Sequence, residues 1–322
     1  MSSSAVMLCG HGSRDPEAIR EFERLGQALR RRLAPQEMEL GYLEFARPII
    51  RDGLEALKRR GATRIIGIPG MLFAAAHVKN DLPWEINSFA AANPAIELRF
   101  GRELAIEPRL LQAAAARITD AEAAAPANRS RGETLLLVVG RGTNDPDANG
   151  NICKVARFLW EGMGFGWAES AYSGVAMPLI EPALRRALKL GFPRIIVFPY
   201  FLFTGVLVKR IYAATDRVAA EHPGIEFLKA GYLNDHPHVL DCFIERVREA
   251  EDGVSAMNCQ LCKYRTQIVG YEAELAAPQI GHHHHVRGIG TDADHHRHHD
   301  HHHDDHPHGD HDHPHLHPHD RD

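Results

Sequence analysis

In the stretch MLCGHGSRDP, Met7 to Pro16, an apolar run ends in a histidine held between two glycines. Ala5 to Cys9 reads as a short buried strand. Gly10 and Gly12 let the backbone turn tightly and come close to another group. His11, at the tip, is a candidate metal ligand or general base, or simply a turn residue. Glu44 follows a second such run in GYLEFARP, and His77 a third in PGMLFAAAHVKNDLP, beyond a small-residue loop. Two imidazoles and a carboxylate suit a divalent-metal site with open positions. In it Glu44 would be either a proton acceptor or a third ligand. Taken singly, each has a plainer reading: a turn histidine, a solvated strand-end carboxylate and a helix-start residue.

Residues so far apart need a scaffold that delivers them to one place, and an internal repeat supplies it. At an offset of 130 residues, GHGSRDP (Gly10–Pro16) falls on GRGTNDP (Gly140–Pro146), and GATRIIGIPGMLF (Gly61–Phe73) on GFPRIIVFPYFLF (Gly191–Phe203). Tyr42, Pro48, Val78-Lys79 and Gly101 fall on Tyr172, Pro178, Val208-Lys209 and Gly231. Within the first half, strands are expected near Ala5–Cys9, Met38–Leu43, Arg64–Pro69 and Ile96–Phe100. Ile19, Phe22, Leu25, Leu29 and Leu33 recur at helical spacing. Ile49, Ile50, Leu54 and Leu57 mark a second helix, opened by Pro48 and closed by Gly61. Strands alternating with helices imply parallel sheets with right-handed crossovers. The expected fold is therefore α/β, two tandem doubly wound parallel-sheet domains. The first repeat spans 1–120 and carries the site. A linker rich in Ala, Pro and charge covers 121–133, a degenerate repeat 134–250, a Cys-x-x-Cys segment 251–281, and a His/Asp-rich tail 282–322.

Ligands of such sheets bind outside the carboxyl ends of the strands, the edge where His11, Glu44 and His77 would meet. The repeat is also an internal control. By the same offset His11 becomes Arg141, Glu44 becomes Gly174 and His77 becomes Leu207. The scaffold persists while the three polar candidates are gone, which assigns them to a site confined to the first half.

Composition excludes several partners. A formal charge of −5 leaves no basic footprint for nucleic acid. No apolar stretch approaches a membrane span. The N-terminus MSSSAVMLCG lacks a basic region followed by a long apolar core, so no secretory signal is expected. Five cysteines, only two of them closely spaced, fit a reduced cytoplasmic protein. There is no phosphate loop with a Gly-Lys-Ser/Thr pattern, and no nucleotide is expected. Eighteen of 23 histidines lie from His282 onward, interleaved with Asp and Pro. That segment has almost nothing apolar to bury and is expected to be disordered. Its neutral imidazoles suit a low-specificity store of Co, Ni, Cu or Zn; the plainer reading is a solvated polar tail. Cys259 and Cys262, in MNCQLC, read as a zinc knuckle, a redox dithiol or an iron–sulfur site, whereas Cys9, Cys153 and Cys242 read as buried apolar residues.

CGHGSRDP, the strand-end Glu44 and AAAHVKNDLP together resemble the class II tetrapyrrole chelatases of the CbiX/SirB type, which insert a metal into sirohydrochlorin. The resemblance covers both repeats, roughly Ala5 to Glu249. MNCQLC and the His-rich tail are similar to the long, cobalt-inserting CbiX form. What this implies is a sirohydrochlorin cobaltochelatase of cobalamin biosynthesis that inserts Co2+ and releases two protons. His11, Glu44 and His77 would be its catalytic and metal-binding residues, and Cys259 and Cys262 would hold an iron–sulfur cluster. Two thiolates cannot fill a four-cysteine cluster, so other ligands or a second subunit must complete it, which points to a homodimer. The alternatives are a sirohydrochlorin ferrochelatase for siroheme synthesis and a non-catalytic metal-storage or delivery protein built around the tail. A histidine phosphatase fits less well, because GHGSR lacks the arginine that precedes the histidine in that motif. A substrate with many carboxylates calls for basic groups in the cleft. Arg14, Arg47, Lys79, Arg141 and Lys209 lie near the expected edge, although each alone reads as surface charge. The macrocycle calls for an apolar wall, for which PGMLFAA and PYFLFTG serve as well as they would serve a core.

Overall fold

The strands and helices alternate throughout the computed structural model, which describes residues 4–254 and 262–277. The first half runs β1 (Ser4–Gly10), α1 (Pro16–Leu33), β2 (Glu37–Tyr42), α2 (Ile50–Arg59), β3 (Arg64–Pro69), α3 (Leu82–Ala92), β4 (Glu97–Phe100) and α4 (Pro108–Ala123). The second repeats it as β5 (Thr134–Gly140), α5 (Pro146–Met163), β6 (Trp167–Tyr172), α6 (Ile180–Leu188), β7 (Arg194–Pro199), α7 (Val206–Glu221), β8 (Glu226–Lys229) and α8 (Pro237–Glu251). Each half forms a four-stranded parallel sheet, in the orders β2-β1-β3-β4 and β6-β5-β7-β8. β1 and β5 are central and covered on both faces, which is why they read as unbroken apolar runs instead of alternating ones. The chain order reverses beside β1, so the carboxyl ends of β1 and β3 flank a crevice.

The two halves share one core. Val6, Leu8 and Leu25 belong to the same buried cluster as Val138, Phe198 and Phe243. The last helix of each half crosses to the other: α8 packs on α1, β3 and β4, while α4 packs on α8, α5 and β8. Arg246 of α8 is fully buried and bonded through all three of its nitrogens. It donates to the carbonyls of Glu103 and Leu104 at 3.1 and 3.0 Å and pairs with Glu107 and Glu249 at 3.0 and 2.6 Å.

A second set of cross-connections follows the repeat. Asp15 and Asp145 cap the first turns of α1 and α5, Asp15 accepting from the Glu17 N–H and Asp145 from the Asp147 and Ala148 N–H groups. Each also receives a lysine from the other half. Lys79 Nζ lies 2.7 Å from Asp145, and Lys209 Nζ 2.7 Å from Asp15. The two bridges differ in burial: the Lys79 side chain is 2% exposed and the Lys209 side chain 54%. Lys79, grouped by sequence with the surface charges of the cleft, is thus an interior residue. Burial alone would push its ammonium down, but Asp145 holds it above the ordinary lysine range.

Cys9 and Cys242 are buried as expected, and burial pushes both thiols up, Cys242 to about 12. Cys153 is not. It is exposed, because α5 turns Ile152, Val155, Ala156 and Leu159 inward and leaves the next position on the outer face. Among the described residues no helix is long and apolar enough to cross a membrane.

Candidate metal centre

Why His11 stands between two glycines is answered by what surrounds them. A Cβ on Gly10 would lie 2.6 Å from the Phe22 ring. Gly12 has φ +91°, and a Cβ there would meet the Glu44 carbonyl oxygen at 1.7 Å. The loop after β1 is therefore pressed against the loop after β2, and the Glu44 N–H donates to the His11 carbonyl at 3.0 Å. That contact puts the two side chains together, with His11 Nε2 3.5 Å from Glu44 Oε1. Gly12→Ala should lower stability by about 1–3 kcal/mol through backbone strain and push His11 away from Glu44. Urea unfolding with a cobalt titration checks this, and an unchanged midpoint with unchanged binding would count against it.

His77 arrives from β3. It opens a π-helical turn, His77–Asp81, in which the Leu82 N–H donates to the His77 carbonyl before α3 continues. Its ring meets that of His11 edge-on, centroids 4.6 Å apart and planes at 80°. One donor atom each of His11, Glu44 and His77 lies within 4.8 Å of the others. Donors about 2.1 Å from one divalent ion stand roughly 3.4 Å apart in a tetrahedral arrangement. Small side-chain rotations would close this set on an ion; all three residues are half-buried, and His11 and His77 line the cleft.

Both rings can offer Nε2. His11 Nδ1 lies 2.9 Å from the Gly12 carbonyl, which can only accept, so Nδ1 carries the hydrogen and Nε2 the lone pair. His77 Nδ1 lies 2.7 Å from Asp81 Oδ2 with the same result. Burial, then Arg141, then His77 hold the His11 pKa down to about 3. The ring is therefore neutral and able to donate its lone pair at any physiological pH. Arg141, the residue that replaces His11 in the repeat, reaches it from the second half, with Nη2 3.4 Å from Nε2.

The cleft has a volume of about 920 Å3 and is lined by both halves, within the usual range for small-molecule sites. Phe73 from PGMLFAA stacks on Tyr200 from PYFLFTG with centroids 5.8 Å apart, and Phe22 meets Phe203 edge-on at 5.6 Å. Both apolar stretches thus line the cleft as well as closing the core beneath it. Arg14 and Arg141 line it too, Arg14 lying over the Phe45 ring. Lys209 is held by Asp15 and Glu17, and Arg47 is exposed and not among the lining residues. Cys262 is buried, whereas Cys259 lies outside the described residues, as does everything from 278 onward. Asp81 was not singled out by sequence. Its only signals are its place four residues after His77 and the Ile211 that stands at the matching position of the repeat.

The CbiX family model matches the chain twice, over residues 5–121 and 135–250. A sirohydrochlorin cobaltochelatase of Priestia megaterium is 35% identical over 82% of this chain and 86% of its own. A sirohydrochlorin ferrochelatase of Bacillus subtilis is 29% identical over 76% of this chain and 91% of its own. Among solved structures, the sirohydrochlorin chelatase SirB from Bacillus subtilis subspecies spizizenii in complex with cobalt superposes with a TM-score of 0.66. It is 28% identical, over 78% of this chain and 97% of that one.

Proposed function

This chain belongs to the CbiX family, and from that membership we propose that it is a sirohydrochlorin chelatase whose metal is Co2+. The observation that carries the reading is the meeting of His11, Glu44 and His77 at one edge of a cleft whose other half has lost all three. The cobalt assignment leans on the more similar relative and on the cobalt-bound SirB structure. Insertion replaces two pyrrole N–H protons with one divalent ion. His11 and His77 would present the ion, and Glu44, 3.5 Å from His11, would take a proton or complete the donor set. The apolar walls would receive the macrocycle, with Arg14 and Arg141 placed to meet its carboxylates. An iron–sulfur centre on Cys259 and Cys262 belongs to this proposal through the resemblance of MNCQLC to the long CbiX form.

The test is insertion into sirohydrochlorin with Co2+, Fe2+ or Ni2+, followed by visible absorption. Faster turnover with Fe2+ than with Co2+ would replace cobalt by the ferrochelatase reading, which the Bacillus subtilis relative favours. Removal of residues 282–322 separates the enzyme from a storage protein. The truncated chain should insert at the full rate in ample cobalt and fall behind only when metal is scarce. Inactivity in excess cobalt would overturn the enzymatic reading in favour of storage.

A further inference from the structure

We infer that Asp81 is a positioning residue that makes His77 the stronger of the two imidazole donors, so that a divalent metal is captured on His77 and held only weakly by His11. The inference rests on the reading of His11, Glu44 and His77 as the metal-holding set.

The two histidines expose the same nitrogen but are backed differently. Behind His77 is a carboxylate at 2.7 Å, its side chain 3% exposed. Behind His11 is a backbone carbonyl at 2.9 Å. A charged acceptor on the far nitrogen raises the basicity of the near one more than a neutral acceptor does, and fixes the ring more firmly. The carboxylate is itself held, because Asn80 Nδ2 donates to its other oxygen at 3.2 Å. The environment in front of the rings reinforces the difference. The Arg141 guanidinium stands 3.4 Å from His11 Nε2, where it opposes a second cation.

The repeat supports the pairing of roles. Where His77 becomes Leu207, Asp81 becomes Ile211, and Ile211 is fully buried. A buried position that the fold can fill with a hydrocarbon carries a carboxylate only in the half that has the histidine. The π-helical turn over His77–Asp81 is also confined to the first half; α7 is an ordinary helix over the matching residues. A site that must give its metal to a macrocycle benefits from this asymmetry. One firm donor retains the ion, and one weak donor leaves its coordination open for the first pyrrole nitrogen.

The experiment is a titration of the full chain with chelator-buffered Co2+, followed at the imidazole NMR resonances of His77 and His11, which report this site and not the tail. Asp81→Asn should weaken cobalt binding about 10-fold, and Asp81→Ile up to about 100-fold. In metal-free Asp81→Ile the nitrogen spectrum of His77 should show both ring tautomers instead of one. His77→Ala should weaken binding more than His11→Ala. Asp81→Asn keeps the shape of the site, so it carries the test if the isoleucine variant does not fold. If His77→Ala weakens binding but the folded Asp81 variants bind within about twofold of the parent, Asp81 serves the fold alone and the inference falls. It also falls if His11→Ala is the more damaging. If His77→Ala leaves cobalt binding untouched, the failure belongs to the metal-site reading instead.

Discussion

Alanine at His11 or at His77 should each cut insertion into sirohydrochlorin by about 100-fold or more in kcat/KM, the scale expected when a group that holds metal or moves a proton is removed. Neither residue is needed by the fold. The repeat places Arg141 and Leu207 at the same positions, and both imidazoles are partly exposed to the cleft. Folded variants with an unchanged melting midpoint are therefore expected. Glu44→Gln adds a finer distinction. An amide keeps a ligand oxygen but cannot take a proton, so a rate loss with cobalt binding retained would mark Glu44 as the base. Loss of cobalt binding would mark it as a ligand. Near-normal insertion by both folded histidine variants would remove the site assignment altogether.

The second large effect concerns stability. Lys79→Ala should cost about 3–5 kcal/mol, because it leaves the buried Asp145 carboxylate without its counter-charge. Lys209→Ala, which breaks the matching bridge to Asp15 in water, should barely move the unfolding midpoint. The contrast is informative because the two lysines occupy equivalent places in the repeat. Lys79 has a raised pKa in the folded chain. Its contribution is therefore fully present below the unfolded pKa and is lost as pH rises through the folded one, at strongly alkaline pH. Urea melts of the two variants at neutral pH provide the check. Equal losses from both would mean that burial does not set the strength of these bridges.

Much of this was legible in the amino-acid order. A constant offset of 130 residues exposed the duplication, and buried parallel strands announce themselves as unbroken apolar runs such as Leu135–Val139. Once the sheets are parallel, loops after successive strands must share an edge, which brings His11, Glu44 and His77 together. What stayed hidden depends on contacts that no local pattern records. Lys79 is interior only because Asp145, in the other half, lies within reach. Asp81 carries no mark of its place in the sequence; its burial and its 2.7 Å distance from His77 belong to the folded chain alone. The crossing of α4 and α8 into opposite halves was equally invisible, since an amphipathic helix does not reveal which sheet it will cover. Cys153 is a different case. It sits one position beyond the buried Ile152, and helical geometry alone turns it away from the core.

The one-sided placement of the donors has a stereochemical consequence. His11 and His77 line the cleft from the first half, with Glu44 beside them, while the second half contributes Arg141, apolar and aromatic side chains, Thr143, Asn144 and Asn149. On the proposed reading, a flat macrocycle bound in the cleft would meet the three donors from the first half's side only. The ion would then enter through that face, and a molecule docked upside down would present the wrong one. An unsymmetrically substituted ring would then be metallated from a single side, so the cleft would distinguish two faces that a pair of equivalent sites would treat alike.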